Sequence, residues 1–159
     1  MAASYRQIIP SRQTELTTGV APARSRANTA YPRFLQQYEN PERKWEREIL
    51  TRLIELVQME PDWDGYGAPS VKRDAGFFAL EILKGIMRER TPLPQIVPSS
   101  VGGVQMEWHE KGIDLEVHVT GAYECEVWFR DHATAKNFAV DLTNDFSDLL
   151  GPIGTLTTR

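Results

Sequence analysis

Residues 104–131, VQMEWHEKGIDLEVHVTGAYECEVWFRD, restrict the fold more than any other part of the chain. Val104, Met106 and Trp108 alternate with Gln105, Glu107 and His109, and Ile113, Leu115 and Val117 alternate with Asp114, Glu116 and His118. Cys125, Val127 and Phe129 alternate in the same way with Glu124, Glu126, Trp128 and Arg130. Successive side chains of a strand point to opposite faces, so this period of two predicts antiparallel strands with one apolar and one polar face. Short connections suit hairpins. Pairing Trp108 with Ile113 across Glu110–Lys111–Gly112 sets Met106 opposite Leu115 and Val104 opposite Val117. A loop centred on Gly121 then sets Val117 opposite Cys125 and Leu115 opposite Val127. A slip of one residue would turn the whole apolar set towards water.

The remaining segments frame this sheet. NPERKWEREILTRLIELVQME predicts a helix: Asn40 is a suitable N-cap, Pro41 fits the first helical position and Glu42 complements the positive helix end. Trp45, Ile49, Leu53, Leu56 and Val57 form its apolar stripe, and Glu48 and Arg52 are spaced for an i,i+4 ion pair. A second helix is expected from Ser70, with Ala75, Phe78, Ala79, Ile82 and Ile86 buried. Strands are expected near 95–99, 104–109, 113–119 and 123–130. DHATAKNFAVDLTNDFSDLLGP predicts a last helix with Ala135, Phe138, Leu142, Phe146 and Leu149 inward, stopped by Gly151 and Pro152. The fold class that follows is α+β: two N-terminal helices, a four-stranded antiparallel meander and a C-terminal helix, with the helices packed on one face of the sheet. Residues 39–152 form the single domain, 153–159 a C-terminal tail, and 1–38 a basic tail that is disordered or ordered by a partner.

Charge divides the chain unevenly. The overall −4 combines a +4 segment at 1–38 (Arg6, Arg12, Arg24, Arg26 and Arg33 against Glu15) with a −6 segment at 101–159. Segments of opposite sign attract one another, within a chain or between chains. An acidic folded part and dispersed arginines argue against nucleic acid as a partner. No apolar run approaches a membrane span and the N-terminus has no secretory h-region, so a cytoplasmic protein without membrane contact is expected. The single cysteine, Cys125, fits a reducing compartment and reads as an inert core thiol.

The polar face carries the candidate site. Glu107, Asp114, Glu116, Glu124 and Glu126 share it with His109, His118, Trp128 and Arg130. Opposed like charges cost a strand pair up to about 1 kcal/mol, so such a face calls for a cation, a basic partner or ample water. The leading reading is a partner surface, with Trp128 and Arg130 as anchors on an open edge of the fourth strand and Arg6, Arg12, Arg24 and Arg26 as the nearest cations. Asp141, Asp145 and Asp148, spaced for one helical face, extend the acidic theme. The alternative is a metal site of Glu107, Asp114, Glu116 and His118, although ligands on flat strands spread rather than converge. DWDGYG begins like a calcium loop but places Arg73 where a bidentate Glu is required. Its glycines instead suit positive-φ turns, with Trp63 and Tyr66 packed over the sheet. His132 reads as part of a helix cap.

The WDGYGA loop at 63–68 and the GGVQMEW strand at 102–108 resemble a set of small uncharacterised bacterial proteins sharing a WDGxGA-type loop and a GGVxxEW-type strand, over roughly residues 45–130. The resemblance implies a bacterial cytoplasmic protein and brings no activity, cofactor or catalytic residue with it. Two functions are therefore carried forward. One is a non-enzymatic protein-binding or assembly module, self-associating or antitoxin-like or defence-accessory, that needs no cofactor. The other is a metal-dependent hydrolase or nuclease using the acidic face.

Overall fold

The computed structural model describes residues 44–159; the basic segment 1–38, with Arg6, Arg12, Arg24 and Arg26, and the expected helix start at Asn40–Glu42 lie outside the described residues. The elements run α1 (Lys44–Val57), α2 (Arg73–Ile86), β1 (Gln95–Pro98), β2 (Val104–Glu110), β3 (Ile113–Gly121), β4 (Glu124–Asp131), β5 (Asn137–Leu142) and α3 (Ser147–Thr158). The strands form one five-stranded antiparallel meander, in the order β1-β2-β3-β4-β5. The α+β class and the antiparallel sheet agree with the sequence; the count of four strands does not.

The additional strand comes from the expected last helix. Asn137–Leu142 pairs with β4, setting Phe138 opposite Phe129, Val140 opposite Val127 and Leu142 opposite Cys125. Phe138 and Leu142 are four apart, a spacing that places two residues on one side of a helix or of a strand alike. Their partners on β4 settle the matter in favour of the strand. The helix that follows starts at Ser147, whose backbone N–H donates to Asp145 Oδ1. It runs through Gly151 and Pro152, because Ile153 and Leu156 are buried in the core. Pro152 lies inside the helix and removes one backbone donor, a loss of about 3 kcal/mol that the burial of two aliphatic side chains, at about 1.5–3 kcal/mol each, offsets. Residues 153–158 are therefore helix, not tail.

Faces are as the alternation predicts, but register is displaced by two residues. Trp108 lies opposite Leu115, Met106 opposite Val117 and Val104 opposite Val119. Across the next pair Leu115 meets Phe129, Val117 meets Val127 and Val119 meets Cys125. For β3–β4 the register is set by the turn that pairs Gly121 with Glu124; for β2–β3 the cause is the first turn. Lys111 and Gly112, at φ 53° and 72°, make a two-residue connection that leaves Glu110 paired with Ile113. Positive φ at both central residues matches the twist of flanking strands, which the longer expected loop would not.

One apolar cluster joins the inner residues of the sheet to the buried stripes of the helices. Ile49, Leu50, Leu53 and Leu56 enter it from α1, Phe78, Ala79, Ile82, Leu83 and Ile86 from α2, and Leu149, Ile153 and Leu156 from α3. Trp108 is fully buried within it, and its indole N–H donates to Pro92 O at 2.9 Å. Trp45 and Val57 pack only partly against the cluster. Arg52 turns away from the expected pairing with Glu48: it bonds Glu55 at 3.2 Å, and its Nε donates to Ile96 O on the free edge of β1. That bond, together with Pro94 and Pro98, leaves little on this edge for another strand.

The two motifs have local structural causes. In DWDGYG, Asp64 Oδ1 accepts the N–H groups of Tyr66 and Ala68, and Asp62 Oδ1 accepts that of Gly67. Gly65 and Gly67 hold positive φ, as expected. Trp63 donates to Pro69 O, whereas Tyr66 is 94% exposed and does not pack over the sheet. At GGV, a Cβ on Gly103 would stand 2.4 Å from Val119 O, so only glycine fits there. The same vacancy brings His118 Nε2 of β3 within 2.8 Å of Ser99 Oγ at the end of β1.

Candidate functional site

The polar face of the sheet is organised in three cross-strand rows. His109, Asp114, Arg130 and Asn137 make the first; Gln95, Glu107, Glu116, Trp128 and Ala139 the second; Val97, Gln105, His118, Glu126 and Asp141 the third. Every sequence-predicted strand residue of this face except Glu124 falls in one of these rows, but with different neighbours. Glu107 faces Glu116, not Asp114, and His118 faces Glu126, not Glu124. Glu124 sits at the hairpin end, where its carboxylate accepts the Thr120 hydroxyl at 3.1 Å.

In the first row a single carboxylate holds two imidazoles. Asp114 Oδ1 lies 2.9 Å from His109 Nδ1, and Asp114 Oδ2 lies 2.5 Å from His132 Nε2. Glu107 reaches His109 Nε2 from the other side at 3.6 Å. Hydrogen bonds from His109 and then His132 hold the Asp114 carboxyl below its ordinary range, and the Asp114 hydrogen bond raises His109. His132 thus belongs to the turn after β4, not to a helix cap. Its backbone N–H donates to Gly112 O, so the cluster ties that turn to the β2–β3 turn. Just beneath, Asp131 is buried and receives both Arg159 nitrogens at 2.9 and 3.0 Å, while Lys111 Nζ donates to Leu156 O at 2.6 Å. The Arg159 guanidinium holds the Asp131 carboxyl far below its usual range. These contacts fasten the end of α3 to the sheet.

The second and third rows enclose a shallow depression of about 570 Å³, lined by Gln105, Glu116, His118, Glu126, Trp128 and Asp141 among others. Trp128 is 40% exposed, and the residue opposite it on β5 is Ala139, too small to cover an indole. Glu126 and Asp141 are directly opposed, and among the described residues neither forms an ion pair. The lining of the depression thus brings an exposed indole together with three carboxylates. That combination suits a cationic group able to stack and to donate hydrogen bonds.

Several expectations need correction here. β4 is not an edge: β5 pairs along it, so Trp128 and Arg130 cannot anchor an added strand. Asp141, Asp145 and Asp148 do not form one helical stripe, because Asp141 lies on β5, Asp145 precedes α3 and Asp148 is in its first turn. The four groups of the metal alternative are drawn to different neighbours: Asp114 and Glu107 to His109, Glu116 to Gln105 and His118 to Ser99. Among the described residues no group of three or more His, Cys, Asp or Glu side chains is arranged to hold a metal ion. Cys125 is buried, and burial pushes its thiol up to about 12. Ser99 and Ala139 are contributors to this face that pattern reading missed, and it placed Asp141 and His132 on a helix; each lies at a turn or on the unrecognised strand. No helix among the described residues is long and apolar enough to cross a membrane. No known protein family, curated protein or solved structure matches the chain.

Proposed function

We propose that the protein is a non-enzymatic binding or assembly module whose polar sheet face receives a basic segment of a protein. In this reading the three helices cover the apolar face and leave the other free for a partner. The observation that carries it is the depression where exposed Trp128 stands among Glu116, Glu126 and Asp141. An arginine side chain fits that chemistry well: its guanidinium stacks on an indole while its N–H fork reaches carboxylates, and it is only weakly hydrated. The opposed Glu126–Asp141 pair supports the same reading, since a cation between them would relieve their repulsion. A place in the bacterial cytoplasm, beside small proteins with the same loop and strand motifs, belongs to this proposal. So does an antitoxin-like or defence-accessory role, which the chain's size and basic segment accommodate.

The test uses a fluorescein-labelled octa-arginine peptide and the full chain at 50 mM salt, read by anisotropy. The wild type should bind it, and a chain carrying W128A, E126Q and D141N should bind at least about ten-fold more weakly, with its thermal midpoint nearly unchanged. Equal binding by both chains, or by neither, would sink the reading.

A further inference from the structure

We infer that the occupant of the depression is the chain's own basic segment, residues 1–38, with one of its arginines seated against Trp128. The inference rests on the reading of this face as a surface for a basic segment, and it adds the identity of that segment.

Among the described residues this face of the sheet has a strong charge bias. Glu107, Asp114, Glu116, Glu126 and Asp141 share it with two histidines, His109 and His118, and one described arginine, Arg130, on the rows given above. Arg130 lies opposite Asp114 and Asn137, one row away from the depression, and forms no ion pair among the described residues. Glu126 and Asp141 are therefore left without a described counter-ion. The complementary charge is present in the same polypeptide: residues 1–38 carry five arginines against one glutamate and contain no lysine. The absence of lysine bears on the choice of anchor, because guanidinium is the cation that both stacks on indole and bridges paired carboxylates.

Reach does not limit the contact. An extended chain spans roughly 3.3–3.6 Å per residue, so Arg26 has about 60 Å of chain between it and Lys44, and Arg33 has about 36 Å. A domain of the described size has a radius of gyration of only about 13 Å. Tethering also favours this segment over a second copy. A segment tethered close to its site experiences an effective concentration on the order of 1 mM, well above ordinary protein concentrations. If the free segment binds with a Kd of about 0.1 mM, it would occupy the face roughly nine-tenths of the time. A competing peptide would then bind about ten-fold more weakly than to the vacant face.

The experiment compares wild type with a full chain carrying R6Q, R12Q, R24Q, R26Q and R33Q, titrated with the same octa-arginine peptide at 50 mM salt. Light scattering is recorded on both. If the segment occupies the face, the glutamine chain binds the peptide about ten-fold more tightly, and wild type stays monomeric. Equal affinity in the two chains, still lost in W128A/E126Q/D141N, would overturn this inference while leaving the face a binding surface. Failure of both chains to bind would remove the functional reading itself. A wild-type dimer that the glutamine substitutions dissolve would overturn docking within one chain in favour of a neighbouring copy.

Discussion

The two faces of the sheet share one backbone and behave as different materials. Along β3, Ile113, Leu115, Val117 and Val119 are buried, while Asp114, Glu116 and His118, interleaved with them, stay partly open to water. Each buried aliphatic side chain contributes about 1.5–3 kcal/mol, whereas a directly opposed like-charge pair costs at most about 1 kcal/mol. The apolar face therefore decides whether the chain folds, and the polar face can carry an unfavourable charge pattern without unfolding it. Freedom from the demands of stability leaves the second face open to the proposed role of receiving a basic segment.

Three changes probe this contrast, from the largest expected effect to the smallest. Trp108→Ala empties the fully buried indole and leaves Pro92 O without its donor, and should lower unfolding stability by about 3–5 kcal/mol in urea titration. A loss below about 1 kcal/mol would mean the inner face is not the principal source of stability. Asp114→Asn acts on the outer face through pH. His109 is raised above its ordinary 6.5 by its bond to Asp114, so its contribution is complete below that value and fades as pH rises through the raised one. Asp114 is lowered below its ordinary 3.8 by the two imidazoles, so its contribution is present above that value and fades as pH falls through the lowered one. The thermal midpoint of the variant should trail wild type by a few degrees between these two ordinary values, and the gap should close in alkaline buffer. A gap of constant size from pH 5 to 9 would show that the His109–Asp114 bond contributes nothing proton-linked. Glu126→Gln should disturb stability least, by no more than about 2 °C, while weakening octa-arginine binding several-fold. A large loss of stability there would erase the division of labour between the faces.

Much of this architecture was legible in the alternation of residues 104–131, and its errors have definite causes. Period-two patterning assigns each side chain to a face but is blind to a displacement of two, which returns every residue to the same side. The turn at Lys111–Gly112 determines which of those registers β2 and β3 adopt, and its two-residue form depends on backbone angles, not on polarity. β5 was hidden because Phe138 and Leu142 satisfy both periods; Val140, midway between them, was the signal for a strand, since it also faces inward. Glu107, Glu116, Glu126 and Trp128 could be assigned to the polar face directly. The His132 contact to Asp114 and the Ser99 contact to His118 could not, because each joins a turn to a strand many residues away.

Cys125 gives the molecule a built-in reporter. Its sulfur is buried and its proton tightly held in the folded state, whereas an unfolded thiol ionises near 8.5. An alkylating reagent at mildly alkaline pH will therefore react only with chains in which the sheet has opened around β4. Because the sequence contains one cysteine, a single mass shift counts each such opening once. The thiol thus records how often the core is breached, without a label that would itself disturb the polar face.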